Sequence, residues 1–407
     1  MKPTQPNERY KILDVLRGFA LVGVLIANMS SHSGYFFLSP TARETLPNAQ
    51  AGETLMWIIH FVTDGKFYSI FSLLFGVGFA LQLQRAEEKG VPFKGRFSRR
   101  LLILFLIGLF HAIFFYVGDI LTVYALVGFV LLLFRNVSNK GLIRWSIVLL
   151  CLPVFQYAFS WWQAQNNPPV DLSQQYTFFE QVVAAYRTGS LSDILYMNIG
   201  GLAFGRYPDL VFTGRFFKVL AMFLLGYFIA RKQWYVSIST HKQTLKKIVV
   251  WSAIIGIPCN IVLAQMMTTE AYYTYEPTGI IQPIVYAFGV PALGISYACG
   301  IALLFQKDRV KRLLTIFAPF GRMALTNYLM QSVICCFIYQ SYGFGLYATE
   351  GPLAFTMVGF GILIFQIVFS HVWLSKYQFG PMEWLWRSLT YKRWQPLKKP
   401  NLDTLKT

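Results

Sequence analysis

Apolar residues in this chain fall into long continuous runs, unlike the two-residue alternation of strands or the narrow stripe of a soluble amphipathic helix. About 20 helical residues cross the hydrocarbon of a bilayer. That length predicts spans at 12–30, 56–83, 101–118, 119–134, 142–162, 211–230, 247–265, 281–305, 322–342 and 352–374. The pattern therefore predicts an all-α, polytopic membrane helix bundle of about ten spans. Gly118-Asp119 implies a very tight hairpin between the third and fourth, and the first two turns of the long second span are expected at the interface.

The polar stretches between runs complete the outline. The segment 163–210, with Asn166-Asn167-Pro168-Pro169, is too long for a simple connector and is expected to lie on, or dip into, the outer surface. Residues 376–407 are basic and carry Trp384, Trp386 and Trp394, which reads as an interfacial helix and tail rather than a second domain. One bundle then occupies 1–375. Asp14 and Arg17 interrupt the first apolar run and no small-residue cleavage site follows, which argues against a cleaved signal peptide.

Composition agrees. Of 407 residues, 55% are hydrophobic and only 13% charged, well below the roughly 25% of a soluble domain. Water-soluble enzyme classes are excluded. The net charge of +18 does not imply nucleic acid, because the basic residues flank the spans: 29 lie on one side and three, Arg43, Arg187 and Arg206, on the other. The positive-inside rule predicts both termini in the cytoplasm of a multi-pass cell-membrane protein. Five cysteines lie in apolar runs without metal-ligand spacing, so buried thiols are expected.

An ionisable group inside a span costs about 2.5–3.5 kcal/mol on insertion scales and needs a reason. Asp14 and Arg17 are helix neighbours that can form a tying pair, and Asn28, eleven residues on, shares the face of Arg17. His60 and Asp64 stand four apart beside Lys66; they suit proton transfer or a wet interfacial cluster equally. His111 is expected about 15 Å beyond the cytoplasmic edge, near the midplane. Asp119, Arg215 and Lys218 at similar depth suggest an outward-opening polar cavity for an anion, or mutual counter-ions. Arg322, Asn327 and Gln331 form a polar face better suited to helix packing. Gly76-Val77-Gly78 and Gly200-Gly201 suit close helix contact, and Ser30, Ser31 and Ser33 beside His32 read as a turn.

Leu13-Asp14-Val15-Leu16-Arg17-Gly18-Phe19-Ala20 with Asn28, Ser72-Leu73-Leu74-Phe75-Gly76, Gly108-Leu109-Phe110-His111 and Gly118-Asp119-Ile120-Leu121 with Tyr124-Ala125 carry a resemblance. With Gly321-Arg322-Met323-Ala324-Leu325-Thr326-Asn327-Tyr328 and Gly380-Pro381-Met382-Glu383-Trp384-Leu385-Trp386-Arg387, the chain resembles the YeiB-like bacterial membrane proteins over nearly its whole length. That family's C-terminal domain would fall at about 230–390. More distantly, the Asp-x-x-Arg-Gly opening is similar to transmembrane acyltransferases such as the enzyme that acetylates heparan sulfate and the bacterial O-acyltransferases of surface glycans. The latter carry a catalytic His eleven residues after the Arg, where this chain has Asn28; the heparan-acetylating enzyme resembles this chain there.

The resemblance implies transfer of an acyl group from a cytoplasmic donor, such as acyl-CoA used as substrate, to an extracytoplasmic glycan or lipid acceptor. No permanently bound cofactor or metal is expected. His111, His60 and His32 are the candidate bases, with Asp64 and Asp119 beside two of them. Asp14, Arg17 and Asn28 would serve the donor side, Arg215 and Lys218 the acceptor side, and Arg322 and Asn327 would contribute binding groups. The residues are equally compatible with transport or flipping of a small anionic or lipid-linked molecule, or with a scaffold; self-association into an oligomer is compatible with all three.

Overall fold

The computed structural model describes residues 10–167 and 172–399; among these, regular structure is helical apart from an isolated antiparallel bridge between Tyr377 and Lys398. The helices are α1 (Lys11–His32), α2 (Pro40–Glu44), α3 (Ala49–Thr63), α4 (Lys66–Glu88), α5 (Lys94–Phe114), α6 (Leu121–Leu131), α7 (Asn139–Ala164), α8 (Ser173–Thr188) and α9 (Leu191–Gly200). They continue with α10 (Tyr207–Phe212), α11 (Arg215–Arg231), α12 (Lys242–Met266), α13 (Ile281–Leu304), α14 (Asp308–Leu314), α15 (Phe317–Arg322), α16 (Ala324–Tyr339), α17 (Pro352–Lys376) and α18 (Pro381–Tyr391).

By length and composition, seven segments of the described chain can cross a bilayer: α1, α3 with α4, α5, α7, α12, α13 with its lead-in, and α17. An eighth is the pair Leu191–Phe212 and Arg215–Arg231, bent by 58°; α6 with its extension to Phe134, and α16, are shorter apolar helices. Each of the ten predicted spans overlaps one of these. Large apolar side chains cover the outside, among them Phe155 on α7, Trp251 on α12 and Met357 and Ile364 on α17. The chain is a multi-pass membrane protein of the all-α, polytopic class.

Several boundaries differ from expectation, each for a local reason. The second span is two helices, because Gly65 takes φ +75, a left-handed conformation that ends α3 and restarts the chain as α4. The hairpin at Gly118-Asp119 is wider than expected, with residues 115–120 between α5 and α6: the backbone N–H groups of Phe115 and Tyr116 both donate to the His111 carbonyl, ending α5 four residues early. Of the serines beside His32, Ser30 and Ser31 belong to α1, which runs through His32, and only Ser33 lies in a turn. Within the long outer segment, residues 173–188 and 191–212 are helical; Pro168 and Pro169 lie outside the described residues. Cys335 and Cys336 are buried, but Cys151, Cys259 and Cys299 are only half-buried.

Between spans, lipid gives no hydrophobic drive to association, so close packing holds the bundle. Gly76 on α4 and Gly226 on α11 let two backbones touch: a Cβ on Gly76 would lie 2.0 Å from the Phe223 carbonyl oxygen, and one on Gly226 1.9 Å from that of Leu73. Gly200 and Gly201 play no such part. A Cβ on Gly200 would meet nothing within 4 Å, and Gly201 opens a π-helical stretch, Gly201–Arg206, between α9 and α10.

The basic tail docks on the bundle. α18 packs against α5 and α16, with the Trp386 indole N–H donating to the Arg100 carbonyl at 2.9 Å and Trp384 stacked on Trp394.

Candidate functional site

A cavity of about 460 Å³ runs inside the bundle, walled by α1, α4, α5, α6 and α16. On α4 its lining extends from Phe67 to Gln82, which at 1.5 Å per residue is about 22 Å. The middle is apolar and aromatic, with Leu21, Val24, Phe71, Leu74, Phe75 and Leu121. Gly78 opens onto it, on the face opposite Gly76, which packs against α11. Guanidinium groups stand at both ends.

At the basic end of the bundle, Arg17, Arg100, Arg322 and Arg387 line the cavity together with Glu383. Arg17 donates to the Asp14 carboxylate at 2.7 Å, so the predicted pair exists, and Asn28 lines the same cavity farther along α1. Arg100 lies over the Trp386 ring, 3.5 Å from its centroid, and Arg322 donates to the Gln378 carbonyl at 2.6 Å. Glu383 accepts from the backbone N–H groups of Leu325 and Thr326 and from the Thr326 hydroxyl, capping the first turn of α16. Burial pushes its carboxyl above the ordinary range, against the downward pull of these hydrogen bonds. α1 and α15 meet here: a Cβ on Gly321 would sit 2.0 Å from the Asp14 carbonyl oxygen.

At the far end Tyr68, Tyr116, Arg206 and Arg215 line the cavity, with Thr63 and Gly65 at the α3–α4 break. Arg206 donates to the carbonyls of Gly118 and Asp119 at 3.3 and 3.1 Å, while its buried Nε has no hydrogen-bond partner. Asp209 is 4.0 Å from Arg206 and 3.8 Å from Arg215.

Next to this end, His111 and Asp119 form a buried dyad, Nδ1 to Oδ1 2.9 Å, both side chains 1% exposed. The second Asp119 oxygen accepts from the Thr122 backbone N–H at 2.7 Å and caps α6. Gly108 permits this: a Cβ there would lie 2.7 Å from the Thr122 nitrogen. His111 Nε2 is buried with no hydrogen-bond partner. Its ring lies 5.1 Å from that of Tyr328 and 6.3 Å from that of Tyr116, and both tyrosines line the cavity while His111 does not.

The structure thus regroups the predicted residues. His111 lies in the last turn of α5, not mid-helix, because the helix begins at Lys94 and includes the basic residues once assigned to a loop. Asp119 serves His111, so it does not pair with Arg215; Lys218 sits over the Tyr286 ring at 3.8 Å, outside the cavity lining. His60 Nδ1 and the Asp64 carboxylate are 2.5 Å apart, and the Lys66 ammonium donates to the His60 carbonyl; neither His60 nor Asp64 lines the cavity. Asn327 donates to the Phe320 carbonyl and the Ser370 hydroxyl, and Gln331 to Gln366, which makes both a bond between α16 and α17. His32 packs its ring on Tyr116 at 4.1 Å, away from the lining.

Arg100, Arg206, Glu383 and Arg387 were not foreseen. All four lie in segments that read as loop or tail, and only helix docking turns them inward.

The family described as "Protein of unknown function (DUF418)" matches residues 229–393, from the end of α11 through α18. "Uncharacterized protein YxaH" of Bacillus subtilis (strain 168) is 35% identical over 416 residues, covering 98% of each chain. "Uncharacterized protein YeiB" of Escherichia coli (strain K12) is 27% identical over 407 residues, 95% of this chain and 97% of its own. No solved structure matches. With identity of this level running end to end through the cavity-forming helices, the chain belongs to the YeiB-like family that carries the DUF418 region.

Proposed function

We propose that this protein is a transmembrane acyltransferase that takes an acyl group from a donor held at the basic end of the cavity to an acceptor at the far end. The observation that carries the reading is the cavity itself, two guanidinium-lined ends joined by an apolar middle, about 22 Å in all along α4. An acyl donor such as acyl-CoA is a phosphate-bearing head on an extended arm, and it matches that sequence of surfaces. The basic end faces the cytoplasm of the cell in this reading, following the charge asymmetry of the chain.

His111 is the base. Asp119 accepts the Nδ1 proton and fixes the ring, leaving Nε2 with its lone pair. As the acceptor oxygen or nitrogen bonds to the acyl carbon, its proton passes to Nε2; the bond from acyl carbon to donor breaks, and Nε2 returns the proton to the departing group. Tyr116 and Tyr328 stand between His111 and the cavity, so a shift of either ring opens the path.

The test is turnover of labelled acyl donor by purified protein in detergent. His111→Gln is expected to keep fold and expression and to lose turnover; full activity in a folded His111→Gln protein removes the dyad from the chemistry. The second reading, transport of an amphiphilic anion, is favoured by Arg206 and Arg215 at the far end, where a translocated anion would arrive. It requires sealed vesicles and shows no acyl turnover in detergent. Orientation has its own check: cysteines replacing Lys94 and Lys242 should resist a membrane-impermeant reagent on intact cells, and one replacing Asn167 should react. Labelling at Lys94→Cys overturns the assignment.

A further inference from the structure

The far end of the cavity is built from interrupted helices. α9 passes through the π-helical stretch into α10, and the chain then breaks at Gly214, φ +64, before α11 leaves at 58°. Two kinds of residue alternate along this break. Ile199, Phe204, Val211 and Phe212 are exposed apolar side chains, Phe204 to 88%, on the outside of a membrane protein. Arg206, two residues from Phe204 and so on nearly the opposite face, turns into the cavity with its side chain 12% exposed. Arg215, across the break, joins it on the cavity wall.

The charges do not balance. Two guanidinium groups share the single Asp209 carboxylate, each at 3.8–4.0 Å, longer than a charge-assisted hydrogen bond. Arg206 gives two N–H groups to backbone carbonyls, yet its buried Nε is left with no hydrogen-bond partner. A buried donor on a cation costs free energy unless something accepts from it.

We propose that Arg206 and Arg215 bind the phosphate of an anionic membrane lipid, whose tails lie along the exposed Phe204 and Phe212 and whose head group reaches the far end of the cavity. Guanidinium favours phosphate because its planar fork meets two oxygens at once. The lipid source follows from the lateral position of the site, where the same short segment presents apolar side chains outward and a cation inward. The inference rests on the far-end half of the function proposed above and names its acceptor: a phospholipid head group bearing a hydroxyl.

The test measures binding and not turnover, so it stands apart from the acyl-transfer reading. Full-length protein in neutral detergent is titrated with phosphatidylglycerol, with diacylglycerol as the tail without phosphate and with soluble glycerol 3-phosphate as the phosphate without tails. Phosphatidylglycerol is expected to bind and to raise the unfolding temperature, and the other two are not. Arg206→Gln and Arg215→Gln should each weaken that binding about tenfold or more, whereas Arg187→Gln, an exposed cation on the neighbouring helix α8, should leave it unchanged. If either Gln variant misfolds, Arg206→Lys and Arg215→Lys, which keep charge and lose the fork, should show the same weakening. Equal affinity of wild type and variants overturns the site, and tight binding of glycerol 3-phosphate without the lipid overturns the lipid source. Lipid binding intact alongside no acyl turnover sinks the acyltransferase reading and leaves this site standing.

Discussion

Beside each end of the cavity a carboxylate caps a short apolar helix, Asp119 at one and Glu383 at the other, and the two do so with different partners. Asp119 caps α6 through the Thr122 N–H and holds His111, eight residues away, on its other oxygen. Glu383 caps α16 through Leu325 and Thr326, more than fifty residues away, and its second oxygen meets the Thr326 hydroxyl. One carboxylate joins a helix to a buried imidazole. The other joins the last helix of the chain to the bundle, which is structural work and leaves nothing aimed at a reaction. The comparison separates the end where chemistry is expected from the end where a ligand would be gripped.

Removing Asp119 should do the most damage. Asp119→Ala leaves both the Thr122 N–H and the His111 Nδ1 unpaired in a buried site, an expected loss of about 3–5 kcal/mol in detergent unfolding. A change below that of a surface substitution would mean the dyad is not a buried pair. Glu383→Ala should cost less, about 1–3 kcal/mol, through three unmet donors at the start of α16. A loss equal to that of Asp119→Ala would erase the contrast between the two ends.

Glu383 also sharpens the comparison through pH. Its folded carboxyl is raised by burial, so it holds its proton more tightly folded than unfolded. The stability it contributes is complete below the ordinary carboxylate range and is lost as pH rises through the raised value. Unfolding temperatures of wild type and Glu383→Gln, followed from about pH 4 to pH 7, should therefore shift in favour of the variant as pH rises. A constant difference would contradict the raised value.

The smallest expected effect is at Asp14 and Arg17. A double-mutant cycle should give a coupling near the lower end of about 0.5–3 kcal/mol, because the Arg17 side chain is 29% exposed and solvent weakens the pair. Strict additivity would detach the pair from the basic end.

What was legible in the sequence follows the reach of each interaction. The apolar runs announce membrane helices because span length is a property of contiguous residues. Asp14 with Arg17 and His60 with Asp64 are readable because a helix brings third and fourth neighbours together. His111 with Asp119 is half-readable: both were singled out, but their bond depends on where α5 stops, and that is set by two N–H groups on one carbonyl. Glu383, Arg100 and Arg206 escaped because their partners belong to other segments. The one local hint was an acidic residue, Glu383, among the tryptophans and basic residues of the tail.

The glycine contacts carry a mechanical consequence. Where α1 meets α15 at Gly321 and α4 meets α11 at Gly76 and Gly226, main chain rests on main chain, with no side chain between to change rotamer. Such seams leave little room for local adjustment, so the helices they join are expected to move as units. The contrast is α18, which is held by side-chain contacts, and the broken α9–α11 segment, where the cavity is expected to change shape most readily. A covalent tether across a glycine seam should therefore leave activity untouched, and one pinning α18 to α5 should arrest it.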